Sequence, residues 1–202
     1  MEKKPLIPID QDSLDIWYES PSVMIVKKPK GILTHPKEKS ENGTLLNRLF
    51  QHNRWLAEME TSVSAGVLHV FDENDHGLML FNKSDEYSER LNRAITTNDI
   101  TFSYIVTLKG EQNIKLPVTQ EFEMKLNTEK QFNGHTILDL QVNSGDTWQL
   151  RERLFPNIPA TDVSFYCYQI DLTLPHIEER HSVSLRDYKK GIPDLVVYHA
   201  PP

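Results

Sequence analysis

The chain has 202 residues, enough for one large or two small domains with a substantial buried core, which excludes a peptide hormone or a stapled mini-protein. Charged residues make up 25%, hydrophobic residues 38% and aromatics 9%, so disorder is not the expected state. The 22 Lys and Arg against 29 Asp and Glu give a net charge of −7, which excludes a uniformly basic nucleic-acid surface; a polyanion has to be held by a local cluster of cations.

Residues 1–15 mix acids, lysines and prolines with scattered apolar side chains and read as a loosely attached arm, with a single folded domain over 16–202. Ile16-Trp17-Tyr18 and Val23-Met24-Ile25-Val26 are β-rich runs parted by Glu19-Ser20-Pro21-Ser22, the composition of a hairpin turn. Pro29 and Gly31 end the second strand, and a loop is expected as far as Pro36. After Gly43, Thr44 is placed to cap a short amphipathic helix that carries Leu45, Leu46, Leu49 and Phe50. Val67-Leu68 and Leu78–Phe81 read as buried strands around the polar stretch Asp72–Gly77.

Ser84, the acids Asp85 and Glu86, and the fourfold spacing of Tyr87, Leu91 and Ile95 predict a helix over 85–96. Further strands are expected at Thr101–Leu108, Thr119–Leu126, His135–Val142 and Ser164–Leu174, with a short helix over Trp148–Phe155 stopped by Pro156. No repeat or Gly/Ser-rich linker divides this pattern, so the fold class is α+β with a long, mostly antiparallel mixed sheet flanked by helices.

Cys167 is the only cysteine, so no intramolecular disulfide forms, and its aromatic setting Phe165-Tyr166-Cys167-Tyr168 suits a buried thiol rather than a nucleophile. With no apolar stretch of signal-peptide or membrane-spanning length, a reducing, cytoplasmic location without membrane attachment is expected. The loop 72–77 begins like a calcium loop, with Asp72 first and Gly77 sixth. Its twelfth position is Lys83 where a bidentate Glu is needed, so the match fails on charge. The histidines at 35, 52, 69 and 76 lack metal-ligand spacing, and no metal is expected. Asp72 and Asp75 are a possible carboxylate pair, although acids three apart in a loop specify no mutual geometry. Nucleotide-cofactor enzymes and serine hydrolases find no support, because G-x-G-x-x-G, Walker and G-x-S-x-G patterns are missing.

Several segments carry a resemblance when taken together. Val26–Pro36 is similar to N-K-P-x-G-x-x-x-H-P with Lys27 for the Asn, and Gly43–Asn47 to G-T-L-x-N. Gly66–Lys83 is similar to G-x-x-H-R-L-D-x-x-T-S-G-L-L-L-x-A-K, Phe102-Ser103-Tyr104 to K-x-Y, and Ser144–Arg151 to T-G-R-T-H-Q-I-R. Phe165–Pro175 is similar to a closing strand that ends at a proline. In this order the motifs resemble the catalytic domain of the RluA/RsuA-type RNA pseudouridine synthases, over roughly residues 16–175.

The resemblance implies the pseudouridine synthase fold and a cofactor-free isomerisation of uridine in structured RNA, a tRNA or rRNA stem-loop, without an additional N-terminal RNA-binding domain. It gives no indication of oligomeric state. Asp72 falls on the catalytic aspartate, with Arg151 as its ion-pair partner and Tyr104 stacking on the target base. Leu150 is expected to pack against that base, and His69 and Val70 belong to the substrate-binding segment. Val70 stands where the family has an arginine that helps to extrude the base, Phe102 replaces a lysine and Asp146 an arginine. Lys27, Lys28 and Lys30 are the remaining cations that could replace the base-extruding arginine, and with RNA binding resting on these three and Arg151, weak affinity with a steep salt dependence is predicted. An alternative from the same resemblance is a catalytically impaired member that binds RNA or another protein; a third is a carboxylate-dependent hydrolase of a nucleoside or glycoside.

Overall fold

A run of four apolar residues, Val23–Val26, explains where the sheet begins: all four are fully buried in β2 (Val23–Lys28), which pairs antiparallel with the edge strand β1 (Ile16–Glu19). The computed structural model describes residues 12–38, 41–53, 66–97, 99–114, 116, 123–143, 145–173 and 180–185. The far end of the arm, residues 1–11, lies outside them, while Asp15 O accepts from Lys27 N at 2.8 Å and Leu14 packs against the core.

Thr44 caps α1 (Leu45–His52) in a reciprocal box with Asn47, and Leu45, Leu46, Leu49 and Phe50 are buried as their spacing predicts. Each such side chain contributes about 2 kcal/mol of burial free energy, so α1 is held by packing more than by its eight residues of helix. β3 (His76–Asn82) starts two residues earlier than expected, and α2 (Asp85–Thr96) matches its predicted span. Val67 contributes one isolated bridge to Phe81 rather than a strand.

β4 (Ile100–Lys109), β5 (Met124–Phe132), β6 (His135–Val142) and β7 (Val163–Thr173) complete the sheet with β8 (Arg180–Ser184). α3 (Thr147–Leu154) and a 3-10 turn at Ala160–Asp162 precede β7. The strand order is β1-β2-β3-β7-β4-β6-β5, with β8 paired to β7. Every pairing is antiparallel except β3 with β7, which makes the sheet mixed and the class α+β.

The strand expected over Thr119–Leu126 is displaced. Residues 117–122 lie outside the described set, and β5 runs on to Phe132, where Asn133 and Gly134 with φ of 48° and 71° turn the chain into β6. The parallel β3–β7 contact is short, His76 opposite Tyr166 and Gly77 opposite Cys167. Gly77 has φ +105°, and a Cβ there would stand 2.1 Å from Cys167 O, so only glycine lets the two strands meet. The strands diverge from that contact, and the loop 72–75 enters the sheet beside it.

Candidate active site

Three segments converge at the start of β3: the end of β2, the loop 72–75 and α3. Lys28 is the last residue of β2 and lies opposite Gly77 in the ladder. Its side chain is fully buried, and Nζ donates to Asp75 O at 2.7 Å and Asp72 O at 3.0 Å, with Pro29 O at 3.3 Å and Glu73 O at 3.5 Å closing the cage. Burial lowers its pKa to about 8, against the opposing pull of Asp75, Asp72 and Glu73. Lys28 is therefore a structural cation that shapes the loop, which corrects the expectation that it meets phosphate: the carbonyls that turn inward at 72–75 take all of its donors.

Asp75 is the second buried charge and the residue whose importance the sequence reading underrated. Its side chain is fully buried and accepts hydrogen bonds from every direction. Oδ1 accepts from Phe165 N at 2.9 Å and Arg151 Nη2 at 3.0 Å; Oδ2 accepts from Thr147 Oγ1 at 2.6 Å, Arg151 Nη2 at 2.9 Å and Asp72 N at 3.3 Å. One carboxylate thus ties the loop to α3 and to β7. Such dense satisfaction is what a carboxylate without water requires.

Arg151 projects from α3 into this cluster. Its Nη1 makes an ion pair with Asp72 Oδ2, its Nη2 takes Asp75, and its guanidinium carbon lies 5.4 Å from the centroid of the Phe165 ring. The Asp72 side chain is 49% exposed while that of Arg151 is 7% exposed, so the carboxylate faces outward with the cation behind it. Two carboxylates and two cations, Asp72 and Asp75 with Arg151 and Lys28, balance the local charge. Asp72 is the one acid of that set open to an approaching molecule.

The remaining expected residues divide into floor and rim. Tyr104 is fully enclosed: its ring packs against Phe71, Phe102 and, edge-on, Phe165, and its hydroxyl donates to Gly145 O at 3.0 Å. Burial raises the phenol pKa well above its usual value. With no exposed face the ring cannot stack on a base in this conformation, and it serves as the floor beneath the Asp72 loop. Leu150 is fully buried on the inner face of α3, where it joins the core rather than a substrate.

His69 is buried too. Its Nε2 accepts from Leu80 N at 3.2 Å, and burial lowers its pKa to about 3, so in this conformation it is a neutral packing group rather than a residue open to substrate. Phe102, which replaces the family's lysine, is also fully buried. The accessible members are Val70, Lys30 and, in part, Lys27. Among the described residues no cluster of His, Cys, Asp and Glu is arranged to hold a metal ion. No described helix is long and apolar enough to cross a membrane.

A mixed sheet entered by an aspartate-bearing loop, with an arginine from α3 behind that aspartate, matches the arrangement expected of a pseudouridine synthase domain. The family model described as RNA pseudouridylate synthase matches residues 22–161, and the chain belongs to that family. "Uncharacterized RNA pseudouridine synthase YlyB" of Bacillus subtilis is 25% identical over 158 residues, covering 68% of this chain and 52% of its own length. "Ribosomal large subunit pseudouridine synthase D" of Vibrio parahaemolyticus is 29% identical over 157 residues, 68% of this chain and 47% of that protein. The chain thus spans about half the length of these curated relatives.

Among solved structures, "Human RNA Pseudouridylate Synthase Domain Containing 1" superposes with a TM-score of 0.53 at 13% identity, over 100% of this chain and 99% of that one. "Human RNA Pseudouridylate Synthase Domain Containing 4" superposes with a TM-score of 0.51 at 10% identity, over 85% and 87% of the respective chains. At these identities the likeness is one of fold.

Proposed function

We propose that this protein isomerises uridine to pseudouridine in structured RNA, a tRNA or rRNA stem-loop, with Asp72 as the catalytic carboxylate. The observation that carries the reading is the outward-facing Asp72 carboxylate, backed by Arg151, which is itself anchored by the buried Asp75. In the proposed reaction the C1′–N1 bond of uridine breaks, the uracil rotates, and a C1′–C5 bond forms; N1 ends protonated and C5 gives up its proton. Asp72 acts as nucleophile or base in that sequence, and Arg151 pairs with its carboxylate and aims it. The atoms balance without oxidant, reductant or metal. The reading also places the protein in a reducing, cytoplasmic compartment, supported by its single buried thiol at Cys167.

One observation favours a second reading. Enclosure of Tyr104, and a valine at 70, leave a site with few groups to grip a base, as in a family member that binds RNA or protein without turnover. Incubation with total tRNA and rRNA, digestion to nucleosides and chromatography separates the two. A new nucleoside with the mass of uridine and the retention of pseudouridine is expected for the enzyme. Its absence across both RNA pools supports the non-catalytic reading.

A further inference from the structure

We propose that Val70 and Trp148, carried on two segments clamped together, form an uncharged ridge beside Asp72 on which an unpaired nucleobase stacks. This inference rests on the pseudouridine synthase reading of the Asp72 site and identifies how that site would engage its RNA.

The large exposed hydrophobic side chains among the described residues are Trp17, Val70, Leu126 and Trp148. Trp17 and Leu126 lie on β1 and β5, the two outer strands of the sheet path. Val70 and Trp148 lie instead on the segments that carry the candidate chemistry. Val70, 39% exposed, is two residues before Asp72; Trp148, 55% exposed, is three residues before Arg151 on α3, about one helical turn from the residue that pairs with Asp72.

The two segments are clamped together. Val70 N donates to Asp146 Oδ1 at 2.7 Å, and Val70 O accepts from Thr147 N and Thr147 Oγ1, each at 3.3 Å. Asp146 stands where a helix cap is expected, yet its carboxylate serves Val70 rather than its own helix. Beneath the clamp the His69 ring packs 5.1 Å from Phe71 and 4.6 Å from Phe102, and a Cβ on Gly145 would lie 2.0 Å from His69 Nδ1. This packing and the clamp fix the backbone that carries Val70 and Trp148, so the two segments need little ordering when a ligand arrives. Val70 and Asp146, both different from the family pattern, are joined with Thr147 in one hydrogen-bonded unit, and Trp148 follows it directly in α3.

The chemistry of the surroundings selects a nucleobase as the occupant. An indole face stacks on any base, and a small apolar side chain beside it can wedge between bases. Phosphate has a place as well: Gly31 N donates to Glu73 O at 2.9 Å, which seats the loop bearing exposed Lys30 against the Asp72 loop. An aromatic platform, a reactive carboxylate and a nearby lysine match base, sugar and phosphate in one nucleotide.

The test uses the full chain carrying Asp72→Asn, which removes turnover, and a fluorescein-labelled RNA stem-loop with uridines in its loop. Fluorescence anisotropy should show Trp148→Ala weakening binding on the order of tenfold, Trp148→Phe within about threefold of the parent, and the salt slope unchanged by either. Equal affinity of the parent and Trp148→Ala overturns the ridge, as does an equal loss in Trp148→Phe, or no binding of this RNA by the parent. A wild type that makes no pseudouridine while Trp148→Ala still weakens binding removes the catalytic reading and leaves the ridge standing. Turnover without any effect of Trp148→Ala does the reverse.

Discussion

Asp75 holds Arg151 through both of its carboxylate oxygens, at 3.0 and 2.9 Å from Nη2, and leaves Nη1 free to take Asp72. The pair is buried on both sides, with Asp75 fully enclosed and Arg151 6% exposed. Breaking a buried pair by removing one partner typically costs about 3–5 kcal/mol, because the surviving charge stays dry and unmatched. Arg151 retains Asp72, which offsets part of that loss. Asp75→Ala should therefore destabilise the fold by about 3 kcal/mol in urea titrations. Asp75→Asn, which keeps the shape and loses the charge, should cost less stability and still lower pseudouridine formation by at least about tenfold, as misaimed catalytic groups do.

Lys28 links pH to the same loop. Its native pKa of about 8 lies below the ordinary 10.5, so between those values the folded protein binds fewer protons than the unfolded one. By the linkage sign this group makes stability rise with pH across that window, since the cost of a buried charge disappears. Activity should move the other way: above pH 8 the cation that gathers the carbonyls of Asp72 and Asp75 is lost. A rate profile falling with an apparent pKa near 8, without a matching loss of urea resistance, is the expected result. A profile flat to high pH would separate Lys28 from the site.

Gly145 tests the packing beneath the rim. A methyl group at this position meets the His69 ring at 2.0 Å, and His69 cannot retreat without releasing Leu80 N and pressing on Phe71 and Phe102. Gly145→Ala should cost about 1–3 kcal/mol, the usual range for an overpacked core, measured by thermal or urea unfolding.

The inward turn of Lys28 revises the expected salt dependence. Lys27 and Lys30 remain accessible, Lys30 beside the Asp72 loop and Lys27 on the face of β2 opposite to that of Lys28, among Ser13, Asp15 and Arg48, and Arg151 is committed to its carboxylates. Two phosphate contacts on a single strand give a slope of about −1.4 in log K against log salt. Binding should therefore be weak but only mildly salt-sensitive, and Lys30→Ala should flatten the slope by about 0.7. Anisotropy titrations across a salt series check both numbers.

The motif order made the fold and the Asp72–Arg151 pair legible in the sequence, because Asp72, just before β3, and Arg151, on α3, both fall on motifs of the resemblance. Burial was not legible at single positions. Lys28 looks like a phosphate ligand in sequence, and only the loop geometry shows four carbonyls waiting for it. Asp75 looked like half of a chance pair three residues from Asp72, since its partners Thr147, Arg151 and Phe165 come from far along the chain. β5 was misplaced because its burial does not alternate with period two, and the stronger signal was Asn133-Gly134, two residues built for a tight turn. The resemblance sets Tyr104 against a base, whereas its enclosure by Phe71 and Phe165, which come from separate segments, is not legible from spacing.

The most direct test is tritium release from RNA labelled at C5 of uridine, comparing the wild type with Asp72→Asn and Asp75→Asn. Formation of the C1′–C5 bond expels the label, so the account predicts release by the wild type, background counts for Asp72→Asn and a reduced rate for Asp75→Asn. Equal release by the wild type and Asp72→Asn would contradict it, because Asp72 is the outward-facing carboxylate that Arg151 pairs with.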